Sequence, residues 1–386
     1  MESNWLKKFT NYVRYNIKSS RIEELFEYGT DNPIVLLGEI YETKIPGEKN
    51  NRPPVNYLGS DYIDIYSATG KTIHNLSAYN EFAEKFKSIL WVTYRSNFLP
   101  ILRTKKKQKY YSSDAGWGCT LRAGQMLLLN TLKKHYKKNK ETSIELFHLV
   151  EESLSAPYSI HNLINLGATN KQAGDWFCSA EVCSAIVKLS EINPIPGFRC
   201  CLFTDFTIYK DQVFMLAMDE TENPDRENNT ESQEWKNGVL IFFPLMLGHK
   251  KLEGKFYDVL KLFLSLGPSV GIVGGRPRSA LYIVGYNGDN VICLDPHIVK
   301  QLNNKLQFKL PVEDFFCSDL ILTKFKELES SMTFGFYFRT AQEFYMFEKN
   351  VMANDGLLNG LMLFKDCFVD VPETQELVLE NDFILM

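Results

Sequence analysis

Between residues 112 and 125 the chain reads SSDAGWGCTLRAGQ, and an amphipathic stretch follows at once. Gly116, Trp117 and Gly118 crowd Cys119 into a tight turn at a helix start. A thiol placed there feels the positive end of the helix dipole and the unpaired N–H groups of the first turn, and both favour thiolate. The glycines permit the tight backbone and let a substrate chain come close. The N–H of Cys119 would point toward a carbonyl oxygen attached to the sulfur, which makes it a natural oxyanion donor. The plainer alternative is a small buried hydrophobe beside a turn. A partner base has to separate the two.

Six histidines are available. His135 follows a lysine pair at a helix end, His249 sits in a Lys-flanked turn, and His74 and His148 have ordinary surface surroundings. His161, in PYSIHNL, suits a structural or capping role. His297 differs, because CLDPHIVK places it two residues after Asp295 at the end of an apolar strand. In extended chain, residues i and i+2 face the same side, and the intervening proline keeps Asp295 out of the helical region. An aspartate so placed fixes the imidazole tautomer and stabilises its cation. The alternative is a D-P-H turn closing a strand. Cys119 and His297 together mean more than either alone.

These residues need elements to hold them. The patterns predict helices over 78–90, 119–136, 143–155, 177–191, 256–266 and 341–352, with an amphipathic helical stretch in 1–30. Strands are predicted over 91–98, 199–209, 238–247, 269–275, 280–295 and 332–339. The 280–295 stretch is a hairpin turning through NGD. Polar, breaker-rich 219–238 reads as an exposed loop, as does 47–54. Helices come first and strands dominate the second half, which is the order of an α+β fold.

Bulk properties narrow the function. Apolar residues at 45% and charged residues at 23% are those of a globular protein with a sizeable core. A net charge of −4 gives no footprint for nucleic acid, and the lysine clusters at 103–110 and 133–140 read as solvated segments. The first residues lack the apolar region of a secretory signal, and the longest apolar run, 238–248, is too short to span a bilayer. Eight scattered cysteines without C-x-x-C or H-E-x-x-H argue against a zinc site and for a reducing, cytoplasmic location. No metal or cofactor is expected.

The segments YSSDAGWGCTLRAGQM and SALYIVGYNGDNVICLDPH resemble the active-site and Asp-Pro-His segments of the autophagin cysteine peptidases. WVTYRSNF, PYSIHNLINLG, GDWF, LGPSVGIVGGRPRSA and MTFGFYFRTAQEF follow the family pattern in order, over about residues 30 to 350. The resemblance implies a papain-like core that cuts after the C-terminal glycine of the ubiquitin-like autophagy modifier, to mature it and to free it from phosphatidylethanolamine. It implies Cys119 as nucleophile, His297 as base and acid, Asp295 as orienting carboxylate and Tyr94 as a side-chain oxyanion donor. It also implies Trp176 and the loop Gly274-Gly275-Arg276-Pro277 as lips of a slot that admits only glycine. Ser112, Thr120, Leu281 and Cys293 depart from the family's usual residues.

On this resemblance residues 1–29 form an N-terminal segment, 30–368 the peptidase domain with an auxiliary lobe at roughly 203–260, and 369–386 a flexible tail. The closing DFILM resembles the family's short modifier-binding motif, with Phe383 and Met386 in the aromatic and aliphatic positions. The expected partner is the modifier, precursor and lipidated, with transient membrane association through it; the enzyme is expected to be a monomer. Three alternatives stand: the peptidase of the ubiquitin-fold modifier, a non-catalytic modifier-binding scaffold, and a transferase with the same Cys-His-Asp set.

Overall fold

A computed structural model describes residues 19–26, 32–43, 75–104, 108–165, 171–218, 235–302 and 312–367. Its centre is a ten-stranded mixed sheet. In spatial order the main path runs Ser19–Ser20, Leu320–Lys324, Asn290–Leu294, Ser279–Asn287, Ser269–Arg276, Glu329–Phe338, Gly238–Lys251 and Phe198–Leu202. The hairpin Ile34–Leu36/Glu39–Tyr41 joins from the side, pairing with Ser279–Asn287. All neighbours on the path are antiparallel except Phe198–Leu202, which runs parallel to Gly238–Lys251.

The sheet has helices on both faces, which explains why its strands are apolar at every position rather than at alternate ones. Leu240, Phe242, Val273, Tyr282, Ile292 and Leu294 face one core with the helices Leu76–Lys87, Cys119–His135 and Ser179–Ile192. Val239, Ile241, Phe243, Ile272, Ile283 and Val291 face another with Lys210–Met218, Tyr257–Ser265 and Ala341–Ala353. Within the stretch expected as an auxiliary lobe, the strand Gly238–Lys251 therefore belongs to the main sheet. Pro244 is tolerated in it because the parallel neighbour ends at the Leu202–Phe242 pair, so a missing N–H there breaks no ladder.

The lysine-rich 103–110 stretch, read as solvated, links the strands Arg95–Arg103 and Lys109–Ser113 of a separate small sheet. Two local expectations need correction. The 199–209 strand is two, Phe198–Leu202 and Thr207–Tyr209, broken where Phe206 takes a left-handed φ of 60°. Helical pattern 143–155 becomes a 3-10 helix over Thr142–Leu149, ended by the Ser-rich, Pro157-containing sequence that follows.

Candidate active site

Cys119 is the first residue of the helix Cys119–His135, and Gly118 occupies the N-cap without a side-chain cap. Nearly every position of this helix is buried against the sheet, so its N-terminus is held rigidly. Gly116 turns the chain with φ of 88°. Gly118 is small for a different reason: a Cβ there would lie 2.7 Å from the Asp114 side chain. The turn closes on the Asp114 carbonyl, which accepts from Trp117 N–H at 3.2 Å and Gly118 N–H at 2.9 Å.

The Asp295–His297 segment leaves the strand Asn290–Leu294 and crosses toward this helix end. Asp295 Oδ1 accepts from the His297 backbone N–H at 2.9 Å and lies 2.5 Å from His297 Nδ1. That pairing turns Nε2 toward the thiol. The segment is laced to residues 91–96: Trp91 Nε1 donates to the Asp295 carbonyl at 2.7 Å, Tyr94 N–H to Pro296 O at 2.8 Å, and Lys300 N–H to Tyr94 O at 2.9 Å. Asn130 fixes the other end of that strap, accepting from Leu90 N–H at 2.9 Å and donating to Leu90 O at 3.0 Å. The helix thus registers the strap, and the strap registers the Asp-Pro-His segment.

Cys119, Asp295, His297 and Tyr94 are buried together, with 6, 5, 3 and 1% of their surfaces exposed. The Tyr94 ring meets His297 edge-on at 5.4 Å. Burial by itself pushes the Cys119 thiol up. The hydrogen bond and charge of His297, then the Ala280 backbone N–H and the Tyr94 hydroxyl, outweigh it, so the thiol ionises more readily than a free one. Burial likewise pushes His297 down, but Asp295 and then Cys119 overcome this and raise it to about 9. Both shifts favour a thiolate–imidazolium pair, whose titration belongs to the pair.

Trp176 is 50% exposed, which is unusual for a tryptophan with nothing to recognise. Its Nε1 donates to Gly116 O at 2.9 Å, and the Arg278 guanidinium sits 5.5 Å from its ring centroid. The indole therefore bridges the Cys119 turn and the hairpin Ser269–Arg276/Ser279–Asn287. The four residues expected as a loop divide: Gly274, Gly275 and Arg276 finish a strand, and only Pro277 belongs to the turn, with Arg278. Gly275 is small because it pairs with Ala280 so closely that a Cβ would meet Ser279 O at 2.4 Å. Proline followed by a left-handed residue (Arg278, φ 62°) is the pattern of a type II turn, in which glycine or asparagine is usual.

The sequence reading passed over a buried charge network beneath the thiol. Asp114 Oδ1 accepts from the Arg95 backbone N–H at 2.7 Å, and Oδ2 pairs with Arg122 Nε at 2.7 Å. Arg122 Nη1 also reaches Glu152 at 2.6 Å and Gln125 at 3.0 Å. Asp114 and Arg122 have no exposed side-chain surface. One carboxylate thereby ties the strand next to Tyr94 to the turn before Cys119. An arginine at the third position after the cysteine, on an otherwise apolar helix face, was the available signal.

The other described histidines lie elsewhere. His161 Nε2 bonds Leu99 O at 2.8 Å, and His135 Nδ1 bonds Tyr337 OH at 2.6 Å. Phe383 and Met386 lie outside the described residues. Among the described residues no cluster of His, Cys, Asp and Glu is arranged to hold a metal ion, and no helix is long and apolar enough to cross a membrane.

A cysteine beside a buried His-Asp pair at a helix N-terminus on a mixed sheet is the arrangement of a papain-like thiol hydrolase. Residues 79–350 match the peptidase C54 catalytic domain, and the chain belongs to that autophagin family. It is an autophagy-related cysteine peptidase with a papain-like α+β fold. It is 30% identical to the probable cysteine protease atg4 of Schizosaccharomyces pombe, over 79% of this chain and 86% of that one. It is 26% identical to cysteine protease ATG4C of Xenopus laevis, over 89% of this chain and 81% of the relative. Against the probable cysteine protease atg4 of Penicillium rubens the identity is 28%, over 74% and 76%.

Proposed function

We propose that the enzyme cuts after the C-terminal glycine of a ubiquitin-like autophagy modifier, maturing its precursor and freeing it from phosphatidylethanolamine. The observation that carries this reading is the buried contact set of Cys119, His297 and Asp295 with the Tyr94 phenol beside the thiol. The Cys119 thiolate attacks the glycine carbonyl carbon, and the carbonyl π electrons move onto oxygen. The Cys119 N–H, which has no partner inside its helix, and the Tyr94 hydroxyl donate to that oxyanion. As the intermediate collapses the C–N bond breaks, and His297 Nε2 gives its proton to the leaving amine. The leaving group is a peptide amine for the precursor and the amine of phosphatidylethanolamine for the lipidated form. His297 then removes a proton from water, the water oxygen attacks the thioester, and sulfur departs as thiolate.

Trp176 and the Pro277–Arg278 turn border the approach to the thiol, and a gap between an indole and a proline ring selects against a β-carbon. On this reading the enzyme works as a monomer in the cytoplasm; its eight free thiols suit a reducing compartment. The test uses the modifier with a reporter fused after its terminal glycine, and lipidated modifier on vesicles. Wild type should release both, and Cys119→Ser neither, while still binding the modifier. Normal turnover by Cys119→Ser removes the nucleophile, and cleavage of a ubiquitin-fold-modifier fusion in place of the autophagy modifier reassigns the substrate.

A further inference from the structure

At the far end of the Cys119–His135 helix lies a cavity of about 450 Å³, a size suited to a small-molecule ligand. Sixteen helical steps of ~1.5 Å put it roughly 24 Å from the thiol. Its lining includes Tyr136, Lys137, Trp235, Lys236 and Arg339, and no carboxylate among the described residues. We propose that this cavity is a binding site for a phosphate ester. The inference stands apart from the proposed function, since it uses none of the groups around Cys119.

The charge at this end of the helix is unbalanced. A helix C-terminus ordinarily repels anions through its unpaired carbonyls. Here those carbonyls are occupied: Leu132 O, Lys133 O and Lys134 O accept from the N–H groups of Tyr136, Lys138 and Lys137 at 2.9, 3.0 and 3.2 Å, and Arg339 Nη1 caps His135 O at 2.9 Å. Among the described lining residues the charged side chains are Lys137, Lys236 and Arg339. Among the described residues the acid in hydrogen-bond contact with this group is Glu343, whose Oε2 already accepts the Arg339 backbone N–H at 2.6 Å. Lys137 holds a left-handed φ of 49°, at a helix exit where glycine is usual, so the chain keeps an ammonium at the mouth against its local preference.

The second observation is a donor with no acceptor. Trp235 is 8% exposed, and its Nε1 is buried without a hydrogen-bond partner. A buried N–H left unpaired is uncommon and calls for a partner that the described residues do not supply. Two ammonium groups, a guanidinium and an indole N–H are all donors. They suit a dianion that offers several oxygens better than a single carboxylate. A phosphate ester could come as a soluble metabolite or as the headgroup of an anionic phospholipid, and both present the same oxygens.

The experiment titrates the full chain with glycerophosphate and, separately, with phosphatidylcholine vesicles with and without phosphatidic acid. Wild type should bind glycerophosphate and shift the Trp235 indole N–H resonance, assigned with Trp235→Phe. The paired change Lys137→Gln/Lys236→Gln, both at exposed positions, and Arg339→Gln should each weaken binding by about tenfold or more. Cleavage of a soluble precursor by the lysine variant should be unchanged. Binding of glycerophosphate alone supports the site with a soluble ligand, and added retention on phosphatidic acid vesicles supports a lipid headgroup. Failure of both probes to bind, equal binding by the variants, or displacement by a polyglutamate peptide at lower concentration than glycerophosphate would each overturn the assignment.

Discussion

Replacing Asp114 by asparagine should damage both stability and turnover, and the two losses can be measured apart. The Asp114 carboxylate takes two donors at 2.7 Å, one from Arg122 and one from the Arg95 backbone. An amide offers one oxygen, so its NH2 would confront one of those donors in a site closed to water. Removing one partner of a buried ion pair costs about 3–5 kcal/mol. Arg122 keeps Glu152 at 2.6 Å, which puts the loss near the lower end, about 3 kcal/mol. Arg122→Met should be worse, about 5 kcal/mol, because it strands two buried carboxylates rather than one guanidinium. Because Asp114 joins the Tyr94 strand to the Cys119 turn, an Asp114→Asn enzyme that remains folded should also lose kcat. A misplacement near 1 Å can cost up to about a hundredfold, so a fall of roughly tenfold to a hundredfold with KM little changed is expected. Urea unfolding followed by tryptophan fluorescence gives the first number, and reporter cleavage under folding conditions the second. If the variant loses under about 1 kcal/mol, or keeps wild-type kcat while folded, the network does not register the site.

Three further outcomes follow from the same geometry. With Cys119 lowered and His297 raised to about 9, kcat/KM should rise through the depressed thiol pKa and fall near pH 9 as the imidazolium loses its proton. Asp295→Asn should draw that alkaline limb downward, and an unmoved limb would mean Asp295 does not sustain the imidazolium. Trp176→Ala, which loses the bond to Gly116 O and the Arg278 contact, should narrow the preference for glycine over alanine before the scissile bond; equal kcat/KM ratios in both proteins would make the indole a structural strut only. Deleting residues 381–386 should slow release of scarce membrane-bound modifier and leave soluble precursor cleavage unchanged, because a tethered second contact acts through local concentration; identical rates below KM would dismiss the motif.

What could be read from the sequence was what short range determines. Cys119, Asp295 and His297 stood out because a glycine turn, a helix start and an i, i+2 relation in extended chain are local geometry. The helices on the sheet were legible from their apolar period, and the strands from continuous apolar runs. Long-range features were not. Nothing near Asp114 announces that it meets Arg95 across a sharp turn, and Glu152 lies thirty positions beyond Arg122. Gly274 and Gly275 looked like part of a loop, since glycine marks loops; they are strand residues, and the missing side chain of Gly275 lets Ser279 and Ala280 approach. The hairpin around the basic 103–110 stretch was hard to read because Leu99, Leu102 and Tyr110 are exposed while the buried Phe98 and Ile101 stand three apart, so no alternating pattern marks its strands.

Comparison with the other buried thiols sets Cys119 apart. Cys293 is buried two residues from Asp295, and burial raises its pKa well above the ordinary range. Cys183 and Cys201 are raised in the same way, and Cys200 and Cys317 are pushed up to about 12. Cys119 shares their burial and its penalty. It differs in what surrounds the sulfur: an imidazole held by a carboxylate, a phenol from the 91–96 strap, a backbone N–H from the hairpin at Ala280, and a helix end. These come from four separate stretches of chain, and together they outweigh the desolvation of the buried thiol. The depressed thiol pKa therefore depends on the helix, the strap, the Asp-Pro-His segment and the hairpin having packed, whereas a cysteine in an unfolded chain titrates in its ordinary range.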